Sequence, residues 1–162
     1  MSQVTSGNRA KVTTPSDTEI LIERDFDAPK HLVYRAYTEP DLVRRWWPGQ
    51  RGRMETCEID LRVGGRWRFV NRHPKGEAAF HGEYREITPH RRLVFTEIFE
   101  EFPDTVSVVT SEFVDEGGKT RFTATVRYPS LMVRDMVIAS GMSRGAGISY
   151  DRLEDLVAHL QR

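Results

Sequence analysis

The chain has 162 residues, enough for one domain of ordinary size with a continuous core and too few for two comfortable ones. Its 24 lysines and arginines are balanced by 24 aspartates and glutamates, so no net field draws it toward nucleic acid or acidic lipid. The single cysteine, Cys57, excludes an internal disulfide; no apolar run nears the ~20 residues that span a bilayer, and no secretory signal opens the chain, which together point to a soluble protein of the reducing cytoplasm.

Residues 1–16 are rich in Ser, Thr, Gln, Asn and Gly and read as a disordered polar tail, with one folded domain over residues 17–162. From Thr18 to Asp27, Ile20, Ile22 and Phe26 share one face with Arg24, and Glu19, Glu23, Asp25 and Asp27 share the other, which predicts a half-buried strand. Pro29 opens a short helix with the stripe Leu32, Val33, Ala36 and Tyr37. Pro40 opens a second, which runs through Leu42 and Val43 to Trp46-Trp47 and stops at Pro48-Gly49. Between Met54 and Tyr128 the runs Glu55 to Leu61, Arg66 to Asn71, Glu77 to Ile87, Leu93 to Phe99, Thr105 to Val114 and Thr120 to Tyr128 alternate with turn signals. With the first strand they predict an antiparallel meander of about six or seven strands. After Pro129 the spacing is helical, with Ser130 as N-cap, a break near Gly141 and a stripe of Met142, Ala146, Tyr150, Leu153, Leu156, Val157 and Leu160. The expected architecture is α+β: a curved antiparallel sheet wrapped around a long C-terminal helix, with an apolar cavity between them.

That element order is the helix-grip arrangement, and the local words sharpen it. Arg24-Asp25-Phe26-Asp27-Ala28-Pro29, Thr38-Glu39-Pro40-Asp41-Leu42, Trp46-Trp47, Asp60-Leu61-Arg62-Val63-Gly64-Gly65-Arg66-Trp67, His81-Gly82-Glu83-Tyr84, Arg92-Leu93-Val94-Phe95 and the late Gly141-Met142 stand in sequence. Their combination resembles the START-like, birch-pollen-allergen-like (SRPBCC) superfamily, in the branch named for the activator of heat-shock-protein-90 ATPase, over about Thr18 to Leu160. The resemblance implies the helix-grip fold. It also implies a function among those of the wider superfamily, which includes lipid carriers, hormone receptors, polyketide cyclases and aromatases, and it raises a chaperone as a partner.

The cavity of such a fold should be lined by inward sheet residues and the helix stripe, with a few polar groups to orient a ligand. The ligand-binding candidates are Trp67, Phe69, Phe80, Tyr84, Phe95 and Phe122 on the sheet, and Trp46, Trp47, Met136 and Met142 on the helices. Each of them can equally be ordinary core packing. Arg24 and Glu97 interrupt apolar faces, and a buried charge must be paired. They can pair with each other, serve a ligand's polar group, or reach solvent at the sheet end. His81, beside Gly82, is a candidate for ligand contact or acid-base work against the plainer reading of a solvated strand histidine.

No catalytic set is recognisable. Cys57 lacks a sequence-adjacent histidine, and His31, His73, His81, His90 and His159 lack the spacing of a metal site, so neither metal nor cofactor is expected. Arg44, Arg45, Arg51 and Arg53 around Trp46-Trp47 read as a solvated basic loop rather than a nucleic-acid surface. An open sheet edge or the Trp46-Trp47 segment offers a surface for a homodimer. The reading that results is non-catalytic binding of a small hydrophobic or aromatic molecule. A cyclase or aromatase on the same cavity comes second and a chaperone-modulating module third.

Overall fold

Strict alternation of apolar and polar residues leaves the central segment no better arrangement than a sheet with one face buried. In the computed structural model, which describes residues 10–49 and 52–162, eight strands form: β1 (Lys11–Thr13), β2 (Glu19–Phe26), β3 (Arg53–Ile59), β4 (Arg66–His73), β5 (Gly76–Thr88), β6 (Arg92–Phe99), β7 (Val106–Glu116) and β8 (Lys119–Arg127). All neighbours are antiparallel, in the order β1-β2-β8-β7-β6-β5-β4-β3. The run from β3 to β8 is a meander of hairpins. The remaining pairing sets β2 against β8, with Ile22 opposite Ala124 and Arg24 opposite Phe122. Helices α1 (Lys30–Thr38) and α2 (Pro40–Val43) therefore carry the chain from β2 to the far edge strand, β3.

The expected polar tail is corrected in part. Residues 1–9 lie outside the described residues, but Lys11–Thr13 is an edge strand on β2, with Val12 opposite Ile22 and packed against the core. One apolar side chain and a row of unpaired edge groups on β2 suffice to order three residues that composition alone assigns to the tail. This strand brings the count to eight.

The C-terminal segment divides where the sequence signals a break. Helix α3 (Leu131–Ala139) is capped by Ser130, whose side chain accepts from the Val133 N–H at 3.2 Å, and it ends before Gly141, whose φ of 88° no ordinary side chain adopts comfortably. Helix α4 (Met142–Leu160) then crosses the concave face and buries Tyr150, Leu153, Leu156 and Val157. Helix α3 buries none of its residues. Among the described residues no helix is long and apolar enough to cross a membrane.

Arg24 ties α4 to the sheet. It is 4% exposed; its Nη1 donates to Asp151 Oδ1 at 2.7 Å, its Nη2 lies 3.6 Å from Glu154 Oε1, and its guanidinium sits 5.2 Å from the centre of the Phe26 ring. Asp151 and Glu154 are one helical turn apart and so share the face turned to β2. The Asp27 N–H also donates to Glu154 Oε2, at 3.3 Å. Removing the guanidinium leaves a buried void and takes the cation from the partly buried Glu154, so Arg24→Ala is expected to destabilise by about 3 kcal/mol in urea unfolding. Asp151→Asn, at a carboxylate whose side chain is 71% exposed, should lose less than about 1 kcal/mol. A loss as small for Arg24→Ala would show that the clamp does not hold the helix.

Candidate functional site

The first two turns of α4 carry Gly145, Ala146 and Gly147 instead of large side chains, and a Cβ added at either glycine would meet nothing within 4 Å. Between the sheet and α4, which reaches it through Met142 and Tyr150, lies a cavity of about 150 Å³. Its floor is the inward row of the sheet, including Trp67 and Phe69 of β4, Tyr84 of β5, Phe95 and Glu97 of β6, and Val126 of β8. Its roof and sides are Tyr37 of α1, Trp46 and Trp47 after α2, and Met142 and Tyr150 of α4.

Two of the three tryptophans are fixed by their indole N–H groups, and Trp47 by ring contacts and its backbone. Trp46 Nε1 donates to the Ala36 carbonyl at 2.8 Å, and its ring stacks on Tyr150 at 5.9 Å. Trp47 meets Phe69 and Phe80 edge to face at 5.0 and 5.2 Å, and its carbonyl accepts from Ser149 Oγ of α4 at 3.0 Å. Trp67 Nε1 donates to the Thr96 carbonyl at 3.2 Å, across Gly82. A Cβ at Gly82 would lie 1.8 Å from that carbonyl oxygen and 2.6 Å from Trp67 Nε1, so the glycine is required by an indole and a neighbouring strand. No ligand contact is needed to explain it.

Among the described residues Glu97 is the one charged side chain on the cavity wall. Its backbone carbonyl accepts from Ser107 Oγ at 3.1 Å, but its carboxyl group has no hydrogen bond or ion pair among the described residues. Burial pushes its pKa up to about 7. Tyr37, Tyr128 and Tyr150, which also line the cavity, feel its charge, and burial raises all three hydroxyls above their ordinary range.

Of the residues singled out from sequence, Trp46, Trp47, Trp67, Phe69, Tyr84, Phe95, Glu97 and Met142 meet at this cavity. Five do not. Arg24 clamps α4, as described, and does not pair with Glu97. Phe80 stands behind Trp47, stacked on Phe99 at 5.0 Å. Phe122 is fully buried among Phe26, Tyr37, Phe113 and Tyr150. Met136 is 55% exposed on α3, because the break at Gly141 turns that helix out of the stripe of α4. His81 alternates with Phe80 and Gly82 and points to the convex face, where its Nδ1 lies 2.9 Å from Glu100 Oε2. Two hydrogen bonds from Arg68 help to hold the Glu100 carboxyl down at about 2.

Sequence reasoning passed over Tyr37, Tyr128 and Tyr150 as cavity groups. Tyr37 and Tyr150 were legible as members of apolar stripes, and the signal within reach was a hydroxyl on each of two stripes that must face the same charged sheet position. The Trp46-Trp47 segment, weighed as a dimer surface, faces inward, with Trp46 2% exposed. Around it Arg44 donates to the Met54 carbonyl at 2.8 Å and Arg53 lies 3.6 Å from Glu55, while Arg51 lies outside the described residues. Cys57 is buried, and burial pushes its thiol up to about 11, far from a reactive thiolate. Among the described residues no three histidine, cysteine, aspartate or glutamate side chains converge as a metal site.

Residues 27–158 match the family described as Activator of Hsp90 ATPase homolog 1-like protein. The fold is similar to that of a protein from Rhodobacter sphaeroides at 25% identity, with 93% of this chain and 99% of that one aligned and a TM-score of 0.87. It is also similar to a Nitrosomonas europaea protein at 26% identity, over 90% and 97% of the two chains, with a TM-score of 0.80. A Mycobacterium smegmatis protein aligns at 26% identity over 91% and 95%, with a TM-score of 0.82. No curated protein matches the chain.

The Glu97 shift has a signed consequence for stability. Between an ordinary 4.5 and about 7 the folded state keeps a proton that the unfolded state has lost, so stability falls as pH rises through that window and levels off above it. The loss is on the order of 3 kcal/mol. Glu97→Gln removes it, so the stability of the variant relative to the parent should rise steadily from about pH 5 to about pH 8 in denaturant titrations. A difference that stays flat with pH would mean that Glu97 ionises in the folded protein as it does in water.

Proposed function

The chain belongs to the family of Activator of Hsp90 ATPase homolog 1-like proteins, and on that footing we propose that it is a non-catalytic binder of a small hydrophobic or aromatic molecule, held between the sheet and α4. The observation that carries this reading is the aromatic-walled cavity. Close-packed interiors leave few voids larger than a water molecule. A space of about 150 Å³ is several times the volume of one water molecule. Yet the indoles of Trp46 and Trp67 at its edge are fixed by hydrogen bonds rather than collapsed into it. A pre-formed aromatic-walled space with a few convergent polar groups, here Glu97 and the tyrosine hydroxyls, is the usual form of a small-molecule site.

The volume limits the occupant. An apolar cavity of this size accepts a molecule as small as benzene, so a single ring fits it as it stands and a sterol or flavonoid requires α4 to move. The buried, unreactive Cys57 accords with action in a reducing cytoplasm.

A second reading, an enzyme of cyclase or aromatase type on the same cavity, is favoured by Glu97, since a carboxyl at about 7 is suited to moving protons at neutral pH. It would act without the Arg24 and His81 partners suggested by sequence. The chaperone-modulating reading draws on the family description alone. Stimulation of a chaperone ATPase by the purified protein would be its support.

A thermal-shift screen of single-ring aromatics, followed by native mass spectrometry, tests the binding reading. Saturable shifts of a few degrees are expected for the parent, and Ala124→Leu, which extends a cavity-lining side chain into the space, should abolish them without loss of fold. Shifts that survive in Ala124→Leu would place the ligand elsewhere. A bound compound recovered chemically unchanged supports a binder, whereas conversion by the parent that is lost in Glu97→Gln would favour the enzyme.

A further inference from the structure

We propose that the ligand of this cavity is a small organic cation, an amine or a quaternary ammonium, with Glu97 as its counter-ion and the surrounding rings as its cage. The inference rests on the binding reading and narrows it to one class of charge.

The wall is unusually one-sided in its chemistry. Of the 17 described residues that line it, nine are aromatic, one is an acid, and none is lysine, arginine or histidine. Aromatic faces carry a negative quadrupole that attracts cations, most strongly when water is excluded. A lone carboxylate among them adds full charge of the same sign. An anionic ligand such as a fatty acid would face both without a compensating cation, and an uncharged one would leave Glu97 buried and unpaired.

Among the described residues none supplies a counter-ion. Arg24, the buried guanidinium on the same face of the sheet, is already held by Asp151 and Glu154 of α4. The groups that face Glu97 from the other elements are Tyr37 on α1, Tyr150 on α4 and Tyr128 just after β8. Burial keeps all three hydroxyls neutral through the physiological range, where they can accept from an ammonium N–H but cannot neutralise a carboxylate. The position that would satisfy Glu97 is therefore the cavity itself.

Charge on the ligand also sets the sign of the pH dependence. A quaternary ammonium keeps its charge at every pH, so its affinity follows the ionisation of Glu97 alone. An uncharged ligand of the same shape prefers the protonated carboxyl and should show the opposite trend. The experiment is isothermal titration of the parent, Glu97→Gln and Ala124→Leu with choline and with its uncharged carbon isostere dimethylbutanol, at about pH 6 and about pH 8. Choline is expected to bind the parent about tenfold more tightly at the higher pH, as Glu97 ionises around 7. Glu97→Gln should lose both that pH dependence and the preference for choline, and Ala124→Leu should lose binding altogether.

Dimethylbutanol binding as tightly as choline at the higher pH would overturn the cation and leave an apolar binder standing. So would a choline preference that persists in Glu97→Gln. Choline binding that persists in Ala124→Leu would move the cation site outside the cavity. If neither compound binds, and no single-ring aromatic does, the binding reading fails as well.

Discussion

Tyr150, Leu153, Leu156 and Val157 press one stripe of α4 onto Ile20, Ile22, Phe26 and Phe122, and every other feature of the molecule is arranged around that contact. A sheet of eight strands with one apolar face cannot remain open to water, and a single helix is too narrow to cover it. Helices α1 and α2 close the remaining width, with Val33, Tyr34 and Ala36 buried beside Phe113 and Leu93. The Arg24 clamp makes the seat directional. Apolar contact alone would let the helix slide along the sheet by a turn, whereas Asp151 and Glu154 fit the guanidinium in one register.

The same helix meets the sheet with different side chains along its length. Its C-terminal half presents leucines and valine to the sheet, and its N-terminal half presents Met142, Ala146 and Tyr150. The buried residues form two clusters, one under Leu153 and Leu156 and another around Met54, Trp67, Phe69 and Tyr84. The cavity lies where these meet, bordered by residues of both. Glu97 stands at this seam, where the ladder between β5 and β6 is interrupted by the Trp67 indole crossing Gly82 to reach Thr96.

Much of this was legible before any coordinates. Alternation placed Trp67, Tyr84, Phe95 and Glu97 on one face, and it put Arg24 on the buried side of β2, because a period of two leaves no other choice once one face is buried. What alternation cannot supply is the partner across the fold. Asp151 lies 127 residues from Arg24 and reads locally as part of a polar helix face. Phe122 and Phe95 carry the same signal in sequence, yet one packs solid and the other borders space, since the rings that enclose Phe122 come from Phe26, Tyr37, Phe113 and Tyr150, on four separate elements. Met136 was assigned inward by continuing a helical period through Gly141, and the left-handed residue there resets the phase. The short strand β1 carries almost no pattern, because its stability comes from the edge it joins.

The chain contains three tryptophans, and Trp46, Trp47 and Trp67 all border the same small space. Each sits in an environment that any occupant would change, by displacing water, by stacking or by bringing a charge near the indole. The near-ultraviolet emission of the whole protein is thus a report on this one site, undiluted by tryptophans elsewhere. The molecule carries its own optical gauge of occupancy, and lysate fractions can be searched for the natural ligand with no label attached.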